Sequence, residues 1–234
     1  MTRVPTTGRA ALIVPALNEE PAIGRTLDLV PRDLYREIIV ADNGSRDRTA
    51  EIARARGATV VHEPERGYGA ACLRAIQALP DGIEAVVFMD ADASDDPAEA
   101  ALLVAPIYEG RADLVIGSRT LGRAEAGALA PHQIFGNRLA TWMIRVWFGH
   151  RYTDLGPFRA IRVDALRNLN MRDRNYGWTI EMQIKALRHG LRVIEVPVSY
   201  RRRIGVSKIS GNWRSSIAAG AKIIWTLIRL GLSR

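Results

Sequence analysis

The sequence predicts an α/β fold with a mostly parallel sheet flanked by helices. Two observations support this prediction. Short apolar runs alternate with helical segments over residues 10–117, which is typical of right-handed βαβ units. Polar residues follow most of these runs, and in open α/β sheets the carboxyl ends of the strands face the ligand crevice. The sequence therefore predicts both a fold class and the edge of the sheet where a site should lie.

In the first half of the chain, each predicted strand is a short apolar run that ends at turn or helix-capping residues. The predicted strands are 10–14, 37–41, 59–62, 86–89 and 114–117. The helices between them are predicted at 18–30, 48–56, 70–79 and 97–109. Because the carboxyl ends of parallel strands meet at one edge, the polar residues after these strands are expected to lie together.

After Arg119 the alternation weakens. The sequence predicts a Gly- and Ala-rich mobile loop at 121–131 and an apolar helix at 135–148, in which Trp142 and Trp147 are interpreted as packing residues. A loop that contains Gly and Pro, residues 153–159, leads into a short predicted strand. A helix at 177–189, a strand at 192–197 and a basic loop at 200–208 follow. We expect one domain over residues 1–210, with a division into two halves near residue 120.

Residues 211–234 are predicted to form a separate C-terminal helix. Its apolar residues Ile217, Ala221, Ile224 and Ile228 share one face by helical spacing, and further apolar residues cover much of the rest. A helix that is apolar nearly all round must be buried, packed on a partner or laid in a membrane interface. Ordinary packing and peripheral membrane contact both stay open at this stage.

The charge and composition restrict the partners. The formal net charge is +8 and the chain has a single cysteine, Cys72, which excludes an internal disulfide and favours a reducing, cytoplasmic location. A basic balance favours polyanions. Aromatic residues make up only 6% and do not alternate with basic ones, so nucleic-acid binding is not expected. Residues 1–14 lack a signal-peptide core, and no apolar run is long enough to span a membrane.

The most informative segment is the run VVFMDADASDDP at residues 86–97. Asp90 and Asp92 come directly after a buried strand, and carboxylate oxygens suit hard cations such as Mg²⁺ or Mn²⁺, which in turn hold phosphates. The alternative is an Asp-rich helix cap, because Asp95, Asp96 and Pro97 also read as a helix start. The dinucleotide-binding G-x-G-x-x-G pattern, the phosphate-binding G-x-x-x-x-G-K loop and zinc-site spacings are absent.

Several motifs recur in an order that resembles glycosyltransferase family 2, inverting nucleotide-sugar transferases with a GT-A fold. The motifs are PALNEE at 15–20, DNGSRD at 42–47, RGYGAA at 66–71, DADASDDP at 90–97, GSR at 117–119, TDLGPFRAIR at 153–162, WTIEMQIKA at 178–186 and RRRIGVSK at 201–208. More narrowly, the chain is similar to dolichyl- and polyprenyl-phosphate sugar synthases. The resemblance implies a GT-A fold, with a Rossmann-like sheet and a C-terminal helix, and a Mg²⁺- or Mn²⁺-dependent hexosyltransferase.

The resemblance implies that residues 1–120 form a nucleotide-sugar-binding half and residues 121–210 an acceptor-binding half. It also implies roles for individual residues. The implied nucleotide-sugar-binding residues are Pro15, Leu17, Glu19, Asp42, Gly69 and Asp90. The implied metal ligands are Asp92 and Asp90. The implied phosphate- or acceptor-binding residues are Arg119, Arg203, Ser207 and Lys208, and the residues implied near the reacting centre are Asp154, Glu181 and Arg119.

The sequence departs from the family pattern at three places. Asn43 replaces the second of two aspartates, Ser94 stands where those synthases carry Gln, and the loop from Leu155 to Arg159 reads LGPFR. The second departure leaves Ser94 and Asp95 as alternative third metal ligands. The third bears on acceptor choice.

Two acceptor chemistries are compatible with these motifs. A lipid phosphate is already anionic and needs cations rather than a base, which the basic loop favours, whereas an alcohol needs a carboxylate base such as Asp154 or Glu181. A polyprenyl phosphate is the expected acceptor, together with a nucleotide-diphosphate sugar as donor. The alternatives are a soluble transferase acting on a small hydroxyl acceptor, a nucleotidyltransferase and a non-catalytic nucleotide-sugar-binding protein.

Overall fold

The computed structural model describes residues 8–205, 222 and 225–229. Within them, one sheet contains the strands β1 (Ala10–Ala16), β2 (Tyr35–Asp42), β3 (Thr59–His62), β4 (Ala85–Phe88), β5 (Leu114–Ala124), β6 (Arg159–Arg162) and β7 (Val193–Tyr200). The helices are α1 (Glu20–Asp28), α2 (Thr49–Ala55), α3 (Tyr68–Gln77), α4 (Ala100–Tyr108), α5 (Pro131–Phe148), α6 (Val163–Leu169) and α7 (Trp178–Arg188). Short 3₁₀ turns at Arg32–Leu34 and Pro97–Glu99 precede β2 and α4.

The strand order is β3-β2-β1-β4-β6-β5-β7. β6 is antiparallel to both of its neighbours, and the remaining pairs are parallel. The predicted mostly parallel α/β sheet is therefore confirmed. In its register Ala16 lies beside Asp42, and Ile13 lies beside Phe88. The carboxyl ends of β1, β2 and β4 consequently meet at one edge, as the polar strand ends predicted.

Both faces of the sheet are buried, because alternate residues of each central strand enter opposite cores. Along β1, Ile13 joins the core that α3 and α7 cover, while Leu12 and Val14 join the core beneath α1 and α4. Fully burying a side chain such as Leu12 stabilises the fold by roughly 1.5–3 kcal/mol. This two-sided burial explains why the strands read as continuous apolar runs.

β5 is longer than the sequence predicted. The prediction ended it at residue 117 and began a loop at 121, whereas the strand continues to Ala124 because its outer part pairs with β7 as far as Tyr200. The pairing is irregular between Ser118 and Arg123, and a Cβ on Gly122 would lie 2.0 Å from the carbonyl oxygen of Val198. This glycine therefore permits close strand contact, and reading it as a loop signal was wrong.

α5 starts at Pro131, four residues before its predicted start, and α6 was not predicted. The interpretation of Trp142 and Trp147 as packing residues was also wrong, because their exposed fractions are 59% and 45%. The buried residues of α5 are Ala140 and Ile144. Sequence alone identified an apolar helix without revealing which apolar face meets the core.

Most of the predicted C-terminal helix lies outside the described residues. Residues 225–229 are helical, with Leu227 buried in the core and Trp225 60% exposed. In the described part of the chain no helix is both long and apolar enough to cross a bilayer. The division at residues 120 and 210 stays a prediction.

The start of α3 packs directly against the segment before α7. The Ala70 N–H donates to the Arg174 carbonyl oxygen at 2.9 Å. A Cβ placed on Gly69 would lie 2.0 Å from the Asp173 carbonyl oxygen, and one on Gly67 would lie 2.0 Å from that of Arg174. These glycines therefore bring two backbone segments into contact, one from each half of the chain.

This contact predicts that Gly69→Ala destabilises the protein by roughly 1–3 kcal/mol, because an added methyl group must displace backbone. The free energy of unfolding in urea measures the effect. Gly136→Ala on α5 is the matched control, since nothing lies within 4 Å of a Cβ there. The control is expected to stabilise the helix by up to about 1 kcal/mol. Equal effects of both substitutions would contradict the contact.

Candidate active site

A cavity of about 250 Å³ lies at the carboxyl ends of β1, β2 and β4. Among the residues predicted for the site, those that line this cavity are Pro15, Leu17, Glu19, Asp90, Asp92 and Arg203. The strand order explains why these residues lie together. β1 ends in the PALNEE motif, and its neighbour β4 leads into residues 90–97, which we call the aspartate motif. The predicted location of the site is thus matched by a cavity of suitable chemistry.

The aspartate motif adopts a tight, internally bonded turn. Ser94 donates from both its backbone N–H and its hydroxyl to Asp92 Oδ1, and Ala93 between them has a φ of 61°. A positive φ is unfavourable for alanine, so contacts around the turn must hold it. The carbonyl oxygen of Asp92 accepts from the Ile204 N–H at 2.9 Å, and that of Ser94 accepts from the Arg201 N–H at 2.8 Å.

Of the two alternative third ligands, Ser94 directs its hydroxyl to Asp92, whereas Asp95 keeps an oxygen free. Asp95 Oδ1 is buried and finds no hydrogen-bond donor among the described residues. Helix capping falls to Asp96, which accepts from the Ala98 N–H. Asp90 and Asp92 are therefore not occupied as helix caps.

Negative charge exceeds positive charge around this turn. Burial and the charge of Asp92 raise the pKa of Asp90 from 3.8 to about 7, against the opposing effects of Arg203, a hydrogen bond from Tyr68, and Arg119. Burial and the charges of Asp90 and Asp92 also raise the pKa of Asp95 well above its ordinary value. The protein's own cations therefore leave these carboxylates incompletely neutralised.

Arg203 brings the basic loop onto the aspartate motif. Its guanidinium lies 3.0 Å from Asp92 Oδ2 and 3.5 Å from Glu19 Oε1. The backbone bonds from residues 201 and 204 place this loop alongside residues 92–94. A cation thus stands between β1 and β4 at the cavity wall. The predicted phosphate-binding residues Ser207 and Lys208 lie outside the described residues.

Arg119 and Asp154 form a buried two-pronged ion pair. The guanidinium donates from Nε and an Nη atom at 2.7 Å each, the Arg119 backbone N–H also donates to Asp154, and the carboxylate is fully buried. Glu195 on β7 holds the loop that contains Asp154, because its carboxylate accepts from the backbone N–H groups of Thr153 and Asp154. Every oxygen of Asp154 is therefore engaged within the protein.

Glu181 is equally engaged. It accepts from the backbone N–H groups of Arg172 and Asp173, lies 2.8 Å from Lys185 Nζ, and is 1% exposed. Asp173 in turn pairs with Lys222 at 3.2 Å. This network supports the segment whose residues Asn175 and Tyr176 line the cavity. Neither Glu181 nor Asp154 lines the described cavity wall.

Two predicted nucleotide-binding residues have contacts within the protein instead. Asp42 accepts from the Ser45 N–H at 3.0 Å and lies 3.2 Å from His62 Nδ1, and Gly69 faces the Asp173 carbonyl oxygen. Neither is part of the cavity lining. Any nucleotide contact of these two residues stays a prediction.

Several residues that line the cavity were not predicted for the site from the sequence. They are Arg66, Tyr68, Asn175 and Tyr176. Asn43 also lines it and was identified only as a polar residue after the second strand and a departure from the paired aspartates. Asn43 accepts from the Gly67 N–H and donates to the Glu63 and Glu65 carbonyl oxygens, so the departure from the paired aspartates connects β2 to α3. Arg66 and Tyr68 belong to the RGYGAA motif, which could have predicted their place in the cavity lining. No sequence motif marks residues 175 and 176.

The carboxylates of the motif suit a divalent cation. Oxygen donors favour Mg²⁺ or Mn²⁺, and a dication would neutralise the excess charge that raises the pKa of Asp90. Within the described ranges, no three His, Cys, Asp or Glu side chains are grouped so as to hold an ion unaided. Mg²⁺ commonly uses one or two carboxylates and completes its shell with phosphates and water. The residues present fit a cation shared with a diphosphate.

Known proteins supply independent comparisons. Residues 11–169 match the family model for glycosyl transferase family 2. An uncharacterized glycosyltransferase of Mycobacterium tuberculosis is 39% identical over 89% of this chain and 93% of its own length. An undecaprenyl-phosphate mannosyltransferase of Micrococcus luteus is 31% identical over 87% of this chain and 88% of its own. The resemblance to the transferase family and to polyprenyl-phosphate synthases is confirmed.

A solved structure supports the fold. The glucosyl-3-phosphoglycerate synthase of Mycobacterium tuberculosis, in complex with Mn²⁺, uridine diphosphate and phosphoglyceric acid, superposes with a TM-score of 0.77 at 25% identity. The match covers 97% of this chain and 80% of the synthase. The predicted GT-A fold class is confirmed, and the Mn²⁺ in the synthase complex is one of the two expected cofactors.

The raised pKa of Asp90 predicts a pH-dependent difference between wild type and Asp90→Asn in divalent-free buffer. Between pH 3.8 and about 7 the folded protein retains a proton that the unfolded chain releases, so wild-type stability falls as the pH rises through this window. Asn cannot ionise, and its advantage should grow by about 4 kcal/mol across this window. Urea unfolding at several pH values measures it, with the exposed Asp81→Asn as control. Parallel profiles for all three proteins would contradict the electrostatic picture.

Proposed function

Because the chain belongs to glycosyl transferase family 2, and thus transfers sugar from a nucleotide sugar, we propose that it moves a hexose to a polyprenyl phosphate with inversion. The phosphate oxygen of the acceptor forms a bond to the anomeric carbon, the bond from that carbon to the diphosphate breaks, and a nucleoside diphosphate leaves. The name of the Micrococcus luteus relative supports this acceptor class.

The main observation behind the proposal is that both candidate bases are buried and already paired within the protein. Asp154 is fully buried in its ion pair with Arg119, and Glu181 is buried among backbone N–H donors and Lys185. A general base must reach the proton that it removes. An alcohol acceptor needs such a base, whereas an ionised phosphate oxygen carries no proton to remove. We therefore assign Asp154 and Glu181 positioning roles.

The cations of the site suit an anionic acceptor. Two phosphate groups must approach each other during transfer, and cations offset their repulsion. Arg203 lines the cavity, and both Arg203 and Arg119 are close enough to Asp90 for their charges to lower its pKa. Arg66 is an exposed residue that also lines the cavity. Ser207 and Lys208, outside the described residues, are proposed to extend this cationic set.

We propose that Asp92 and Asp90 hold a Mg²⁺ or Mn²⁺ ion that is shared with the diphosphate of the donor. When bound, the ion neutralises charge on the leaving diphosphate. The protein's own residues do the rest of the binding. Pro15 and Leu17 supply apolar contacts for the nucleoside, and Glu19 lies near Arg203 at the entrance to the aspartate turn.

The second candidate is transfer to a small soluble acceptor. The structural likeness to a synthase crystallised with phosphoglyceric acid favours it. That acceptor is itself phosphorylated, so the cations of the site suit both candidates. A nucleotidyltransferase or a non-catalytic binding protein is not supported, given the family match over residues 11–169.

The metal assignment predicts that Asp92→Ala lowers kcat/KM for transfer by roughly 10²–10³-fold or more, because uncompensated charge remains on the leaving group. Asp96→Asn is the matched control, since it keeps a capping side chain in the same motif outside the cavity lining. Released nucleotide is measured with Mg²⁺, with Mn²⁺ and with EDTA. Undiminished wild-type activity in EDTA would overturn the metal assignment.

The acceptor assignment predicts nucleotide release from a nucleotide sugar in the presence of a short-chain polyprenyl phosphate. The corresponding polyprenol, which has only a hydroxyl, should be inactive because the two candidate bases, Asp154 and Glu181, are buried in ion pairs and do not line the cavity. Phosphoglyceric acid is tested in parallel. Activity with polyprenol at a comparable rate would contradict the absence of a base, and activity with phosphoglyceric acid alone would establish the second candidate.

A further inference from the structure

One face of α5 is apolar and open to solvent. Phe135, Trp142 and Val146 are 69%, 59% and 58% exposed, and their i, i+7, i+11 spacing aligns them along the helix. Ile134 and Trp147, at 38% and 45% exposure, flank this stripe on its two sides. Large contiguous apolar surfaces of this kind usually mark an interaction site. We refer to these five residues as the α5 face.

The opposite side of the helix is firmly held. Ala140 and Ile144 are buried, and Asn137 accepts from the Leu155 N–H at 2.9 Å and donates to the Thr153 carbonyl oxygen at 3.1 Å. The orientation of α5 is therefore fixed by its inner contacts. The core side of α5 is filled by Ala140 and Ile144, with Met143 and Phe148 packed beside them.

The charges carried by the α5 segment itself have one sign. Residues 126–153 contain no aspartate or glutamate, whereas Arg138, Arg145 and Arg151 are present and exposed. Arg138 and Arg145 lie at i+3 and i+10 from Phe135, beside the aromatic stripe. Trp, Phe and aliphatic residues flanked by Arg are the composition of helices that lie in the interface of an anionic bilayer.

We propose that the α5 face docks this protein on the surface of an anionic lipid bilayer. The helix has 18 residues and is about 27 Å long, and it would lie in the interface plane rather than cross it. A second copy of the chain fits less well, because a two-fold pairing through this face would oppose arginines with no acidic residue on either helix.

Docking would bring the acceptor side of the site to the lipid. The Asn137 side chain binds both sides of Asp154, whose carboxylate holds Arg119. The helix and the Arg119 ion pair are therefore joined through a single loop. The inference extends the proposed lipid-phosphate acceptor, and it moves the expected membrane contact from the C-terminal helix to α5.

Cosedimentation with vesicles tests the proposal without donor or polyprenyl phosphate, so its failure is distinct from failure of the proposed function. The wild type should bind vesicles that mix phosphatidylglycerol with phosphatidylcholine, and bind pure phosphatidylcholine more weakly. Trp142→Ser should weaken binding roughly tenfold. Arg138→Ala with Arg145→Ala should weaken it at low salt but much less at high salt.

Leu102→Ser on α4, at a residue 49% exposed, is the matched control and should bind as the wild type does. Thermal unfolding and turnover with a water-soluble short-chain acceptor should be unchanged in Trp142→Ser. The proposal is overturned if the wild type stays in the supernatant, or if Trp142→Ser and Leu102→Ser bind equally. It is also overturned if Trp142→Ser converts a dimer to a monomer without vesicle binding by the wild type.

Discussion

Negative charge buried at the end of β4 is the constraint on which the rest of the site depends. Asp90 and Asp92 follow a strand whose residues are buried on both faces, and burial is the largest cause of the raised pKa of Asp90. Arg203 approaches Asp92, and backbone N–H groups of the basic loop bind the carbonyl oxygens of the turn. These contacts hold the strained Ala93 backbone, but they leave an excess of negative charge that a divalent cation would offset.

Two groups of carboxylates near the cavity differ in how completely they are neutralised. In the aspartate turn, the pKa of Asp90 is raised to about 7, and Asp95 retains a buried oxygen without a donor among the described residues. Outside the cavity lining, Asp154 and Glu181 are surrounded by Arg119, Lys185 and backbone N–H groups. The first arrangement suits cation binding. The second fixes loops and leaves no carboxylate poised to take a proton.

Local patterns predicted those features of the molecule that local chemistry determines. The apolar runs located the strands. Because the carboxyl ends of parallel strands share one edge, the sequence also predicted that Asp90 and Asp92 lie near Glu19, and all three line the cavity. Features that depend on distant partners were missed or misread. Gly122 permits a close approach to β7, and Gly69 contacts the carbonyl oxygen of a residue more than a hundred positions later in the chain. No sequence pattern near Tyr176 predicted that it lines the cavity.

The sequence also could not show which face of α5 packs against the core. Periodicity identifies an apolar helix, but a helix with two apolar faces does not reveal which one the core will accept. Here the core accepts Ala140 and Ile144 and leaves Phe135 and Trp142 outside. A site that relies on cations in place of a base suits an acceptor that arrives ionised. An outward aromatic face without acidic residues suits a surface where such acceptors are anchored, so the two features favour the same substrate class for independent physical reasons.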